Sequence, residues 1–93
     1  MLSDIPKKLE KVDKKLIDLE ILRAGMIAEL DAVSLYEQMA AITSDANIKE
    51  ILLDIAKEEK THIGEFETLL LQRDKEQVQE LEKGKKEIKE KTD

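Results

Sequence analysis

Glu59-Lys60-Thr61-His62 sets a carboxylate and an imidazole three residues apart, so on a helix both project from one side within a single turn. A carboxylate oxygen and a ring nitrogen so placed can reach one cation. Glu29 stands thirty residues earlier. Two-metal sites bridged by carboxylates inside helical bundles take one glutamate from each of two helices and a Glu-x-x-His pair from each of two others. This chain carries one of each, which predicts a metal site completed by a second copy, with four glutamates and two histidines around two ions. Carboxylate and imidazole ligands in that ratio suit iron or manganese, and without thiolates a structural zinc site is disfavoured, so iron is the first choice.

Glu-x-x-His alone is a weak signal, because the spacing occurs by chance in many helices. The elements that must position it strengthen the reading. Between about Asp13 and Arg73 there is no proline and the apolar spacing is helical throughout, which predicts two long helices. The turn-like cluster between them is Thr43-Ser44-Asp45, with Ser44 or Asp45 as N-cap of the second helix. Glu29 and Glu59 each lie fifteen residues from Ser44, so both stand roughly 22 Å from the turn at about 1.5 Å per residue. An antiparallel hairpin therefore brings them level.

The residues sharing a helix face with Glu29 include Leu22, Gly25, Met26, Val33, Tyr36 and Ala40, and those sharing a face with Glu59 include Leu52, Ile55, Ala56, Ile63, Phe66 and Leu70. Both acids are expected to point into the core. Burying a lone carboxylate costs several kcal/mol, and no basic residue shares the central part of either face. A divalent cation satisfies Glu29, Glu59 and His62 together. Opposite them, Glu20, Asp31, Ser34 and Gln38 on the first helix and Glu50, Asp54, Lys57, Thr61 and Thr68 on the second read as solvated faces. Ile27, Leu35, Leu53 and Leu71 interrupt those faces and suit a second interface between dimers. Tyr36, two turns from Glu29, is placed to reach a carboxylate or to end the core at a polar boundary. Glu58, Glu65 and Glu67 read as solvated, and Met26 and Met39 as core filler.

Composition sets the frame. The 93 residues make one small all-α domain that buries little apolar surface alone, so self-association is expected. The chain has no cysteine, which excludes disulfides and thiolate metal sites. No apolar run approaches the roughly 20 residues needed to span a bilayer, and the N-terminus has no hydrophobic signal core, so a soluble, intracellular protein is expected. A formal net charge of -6 argues against nucleic-acid binding. Ten acids against three lysines fall between Glu29 and Glu67, which concentrates the negative charge around the proposed site. Residues 1–12 read as a peripheral segment and 13–73 as the hairpin. Residues 74–93 read as a short third helix, capped by Asp74 with Gln77 and striped by Val78, Leu81 and Ile88, followed by a tail from Lys83 that should fray or act as a linker.

From Ile27 to Met39 (IAELDAVSLYEQM), then from Ile51 to His62 (ILLDIAKEEKTH) and through Gly64-Glu65-Phe66, the sequence closely resembles the encapsulated ferritin family, especially its archaeal members, some of which are fused to an encapsulin shell protein. The resemblance covers about Leu22 to Leu71. It implies a two-helix subunit that dimerises into a ferritin-like four-helix bundle, with Glu29, Glu59 and His62 of each chain holding a di-iron ferroxidase centre across the interface and Tyr36 beside it. It further implies an annular decamer working in iron storage and detoxification inside an encapsulin nanocompartment in the cytoplasm. Two departures stand out: Ala28 occupies a position where relatives can carry an acid of a secondary cation entry site, although Asp31 is present, and Lys83 to Asp93 lacks a Gly-Ser-Leu-like cargo peptide.

Two other readings use the same residues. A rubrerythrin-like peroxide reductase would show peroxide turnover with an added reductant in excess of simple iron oxidation. A non-catalytic helical assembly module, with the acids fixing dimer register, would keep its oligomeric state and thermal stability on chelation.

Overall fold

The computed structural model describes residues 13, 14 and 16–92, so the 1–12 segment lies outside the described residues. Three helices follow one another, α1 (Ile17–Ile42), α2 (Ala46–Leu71) and α3 (Lys75–Thr92), with no strand among the described residues. The expected all-α hairpin with a C-terminal helix is what forms.

The turn works by local chemistry. Thr43 leaves the helical region at φ -68, ψ 140 while its N–H still donates to the Met39 carbonyl. Asp45 then caps α2, its Oδ1 accepting from Asn47 N at 2.9 Å and Ile48 N at 3.0 Å. These bonds satisfy donors that a helix start otherwise leaves open. α1 begins later than the unbroken periodicity suggests. The Leu16 N–H closes a separate turn on the Asp13 carbonyl at 2.8 Å, and Leu16 sits at the cap position with no side chain able to cap.

α1 and α2 pack antiparallel along their length. Leu22, Ala40, Ala56 and Leu70 are the buried apolar residues, and the two alanines are nearly fully enclosed. Their small size lets the backbones approach. Gly25 serves the same end, because a Cβ there would lie 2.8 Å from Phe66 Cε1 and 2.9 Å from Cζ. The glycine gives up helix propensity so that a ring can lie across α1.

The hairpin is thin. Among the described residues no large side chain is fully buried, and Ile21, Leu30, Leu35, Ile51, Leu53 and Leu69 stay exposed. A radius of gyration of 16.5 Å compares with about 12 Å for a compact domain of this length.

α3 is capped as expected, Asp74 Oδ1 accepting from Gln77 N at 3.0 Å. Among the described residues it packs on the hairpin far more sparsely than α1 and α2 pack on each other. It is longer than expected, running to Thr92 through the stretch read as a fraying tail. Glu82 with Lys86 and Glu87 with Lys91 are i,i+4 pairs in the favourable order, and Lys89 and Lys91 complement the dipole in the last turn. One solvated-face expectation is corrected: Asp31 is buried at 8% exposure, beside a recess lined by Ala28, Ala32, Leu35 and Tyr36. Its position on the wheel points away from α2, and only three-dimensional packing could reveal that this flank is covered. Ile27 and Leu71 are likewise half-buried against a groove under α3, whereas Leu35 and Leu53 remain exposed.

Substituting Gly25→Ala gains about 1 kcal/mol of helix propensity but displaces the Phe66 ring, which costs about 1–3 kcal/mol. A lower Tm by differential scanning calorimetry is the expected net result. Asp45→Ala should cost about 1 kcal/mol through the lost cap in the same measurement.

Candidate metal centre

The hairpin register does for the two carboxylates what the turn length demands. Glu29 from α1 and Glu59 from α2 face each other, and His62, one turn beyond Glu59, closes the third corner. His62 Nδ1 lies 3.3 Å from Glu29 Oε2 and 3.4 Å from Glu59 Oε2. One ligand atom from each residue falls within 4.8 Å of the others, making this the group of potential metal ligands among the described residues. The residues predicted from spacing are the ones the fold brings together.

The donor set fits a cation. An ion about 2.1 Å from two donors at right angles holds them about 3.0 Å apart, close to the separations seen between the imidazole nitrogen and each carboxylate. Two anionic oxygens and one nitrogen supply three ligands and leave further positions open. The same Nδ1 stands near both carboxylates and within hydrogen-bonding distance of Glu29 Oε2.

The surroundings are asymmetric. The Glu29 and Glu59 side chains are 20% and 19% exposed, but the His62 side chain is 45% exposed. At about 100° per residue, Ile21 and Leu35 of α1 and Ile51 and Leu69 of α2 lie on the same flank as His62, and all four are exposed. A shallow recess lined by Ile21, Leu22, Leu69, Asp18 and Arg73 joins the helices on that side. The three donor groups thus open onto an apolar surface rather than into a closed core.

Other expected members fall elsewhere. Tyr36 is half-buried beside the Asp31 recess, and no hydrogen bond among the described residues ties its hydroxyl to Glu29 or Glu59. Glu58 and Glu65 are exposed as expected, while Glu67 is half-buried at the edge of the groove on the far flank. Lys60 Nζ pairs with Glu37 Oε2 at 3.2 Å between exposed side chains and so bridges the helices without entering the cluster. A long-range pair between Arg23 Nη2 and Asp74 Oδ2 at 3.1 Å, absent from the sequence reading, ties α1 to the base of α3. No periodicity in the sequence signals it, since the partners are fifty-one positions apart.

The EncFtn-like family model matches residues 4–87. A ferritin-like-encapsulin shell fusion protein of Pyrococcus furiosus is 60% identical over 74 residues, which is 80% of this chain and 21% of that protein. The chain thus spans about a fifth of the relative's length. The crystal structure of the encapsulated ferritin domain from Pyrococcus furiosus superposes with a TM-score of 0.79 at 51% identity, covering 99% of this chain and 88% of that one.

Divalent-metal affinity, read by isothermal titration calorimetry, should fall at least about 10-fold in His62→Ala, since even the outer partners of metal ligands are worth 10–100-fold.

Proposed function

The chain belongs to the EncFtn-like family, and on that premise we propose that it is a ferroxidase subunit whose centre is shared between two copies. The observation that carries this reading is the convergence of Glu29, Glu59 and His62 donors within 4.8 Å at an apolar flank left open. Two flanks brought together about a twofold axis supply four glutamates and two histidines, the ligand set of a carboxylate-bridged di-iron site in a four-helix bundle. They also cover Ile21, Leu35, Ile51 and Leu69.

Fe(II) is the substrate. Two Fe(II) ions give up one electron each, reducing one dioxygen with two protons to hydrogen peroxide, or one peroxide with two protons to two waters. The protein supplies position and charge. Glu29 and Glu59 bind the divalent ion through anionic oxygens and favour Fe(III) over Fe(II), since the gain in attraction grows with the charge of the ion. His62 adds a neutral donor and, being on the same turn as Glu59, fixes the angle between the two ligands. Packing of the apolar flanks excludes bulk water around the site and strengthens those interactions. Tyr36 is given the lesser part of shaping the edge of the site.

The wider setting rests on the family and the shell-fusion relative. We assign the chain to an annular decamer built from such dimers, acting in iron storage and detoxification within an encapsulin nanocompartment of the cytoplasm. No helix among the described residues is long and apolar enough to cross a membrane.

Glu59→Ala and His62→Ala should each lower Fe(II) oxidation at least about 100-fold, since even the outer partners of metal ligands are worth 10–100-fold. Circular dichroism should show helix content unchanged. Oxidation at the wild-type rate in either variant would sink the assignment. Tyr36→Phe should alter turnover while leaving the amount of iron bound per chain unchanged.

A further inference from the structure

The flank opposite His62 carries a different feature. A groove of about 390 Å³ runs between hairpin and arm, its apolar walls formed by Met26, Ile27 and Leu30 of α1, Leu70 and Leu71 of α2 and Leu81 of α3. Among the described residues α3 packs sparsely on the hairpin, and its side-chain ties lie at its start, where Asp74 accepts from Gln77 N and pairs with Arg23. Gln72, Arg73 and Asp74 are the residues outside both helices at the joint, and the described residues spread over 46 × 43 × 20 Å. Such a joint makes a pivot pinned at its base.

The free arm carries the right face for closure. Leu81 and Ile88 lie two turns apart on one side of α3, with Val78 beside them, and the three are 44%, 62% and 39% exposed. Gly84 sits between Leu81 and Ile88 on that same side, in the helix interior, where nothing lies within 4 Å of a Cβ built there. A glycine so placed weakens the helix, and the extended arrangement gives it no close neighbour to accommodate. Laid down antiparallel to α2, an arm about 27 Å long would carry Leu81 and Ile88 over Ile27 and Leu30, with Gly84 allowing the backbones to approach.

We propose that α3 is a hinged arm that folds about Asp74 onto the groove of its own chain, exchanging the extended form for a three-helix bundle when nothing else covers that flank. Closure moves none of Glu29, Glu59 or His62, so the proposal stands apart from the metal chemistry. Its consequence is for assembly: the closed arm hides the far flank and leaves the metal flank open, so that pairing through the metal site can precede any association through the other side.

The chain has no cysteine, which allows spin labels at Ser34→Cys and Glu87→Cys without other changes. The metal-free labelled chain, diluted into excess unlabelled chain, would be measured by pulsed electron–electron double resonance. A second distance population, shorter than the extended one by about 10 Å on helix geometry, is expected, and Leu30→Glu or Leu81→Glu should remove it with helix content by circular dichroism unchanged. A single long distance at the lowest protein concentration would overturn the arm's closure. So would a short population that survives both substitutions or that appears only with loss of helix.

Discussion

The structure depends on two carboxylates held face to face on otherwise apolar stripes. Glu29 and Glu59 offer oxygens within 4.8 Å of one another, where two negative charges repel by roughly 3 kcal/mol at an effective dielectric constant near 20. A fold does not keep such a pair for stability. His62 Nδ1 lies close to both carboxylates and within hydrogen-bonding distance of Glu29, and a divalent cation would turn the repulsion into attraction from two sides. The turn length sets the level of the two acids, Asp45 fixes where α2 starts, and Ala40 and Ala56 bring the helices close enough for the oxygens to share one ion.

The same economy explains the sparse core. Among the described residues only Leu22, Ala40, Ala56 and Leu70 form a buried apolar set, so the hairpin serves as one half of a structure whose remaining apolar surface is divided between two flanks. One flank carries the ligands and an exposed apolar rim, and the other carries the groove under α3. The Arg23–Asp74 pair is partly exposed and worth at most about 1 kcal/mol. It marks where α3 is attached more than it holds the arm in place.

Most of the fold and the convergence of Glu29, Glu59 and His62 was legible in the sequence because both rest on regular periodicity. Equal spacing of Glu29 and Glu59 from Ser44 needs only a helical rise, and the three-residue offset of His62 needs only the helical repeat. Asp45 and Asp74 as caps follow from side-chain chemistry that acts within three residues. What periodicity missed depends on contacts distant in sequence. Asp31 lies on the face away from α2, yet it is buried; Phe66 lies over Gly25; Arg23 reaches Asp74 across the joint. The length of α3 was missed for another reason. Mixed charge reads as solvated tail, but the order of Glu and Lys at i,i+4 also supports a helix.

The central claim is that Glu29, Glu59 and His62 are half of a centre completed by a second copy. Crystals grown anaerobically with Fe(II), with anomalous diffraction collected on both sides of the iron absorption edge, test it most directly. Two iron peaks beside a twofold axis, ligated by Glu29, Glu59 and His62 from both chains, are expected. Iron held within one chain away from any partner, or peaks remote from these residues, would contradict it.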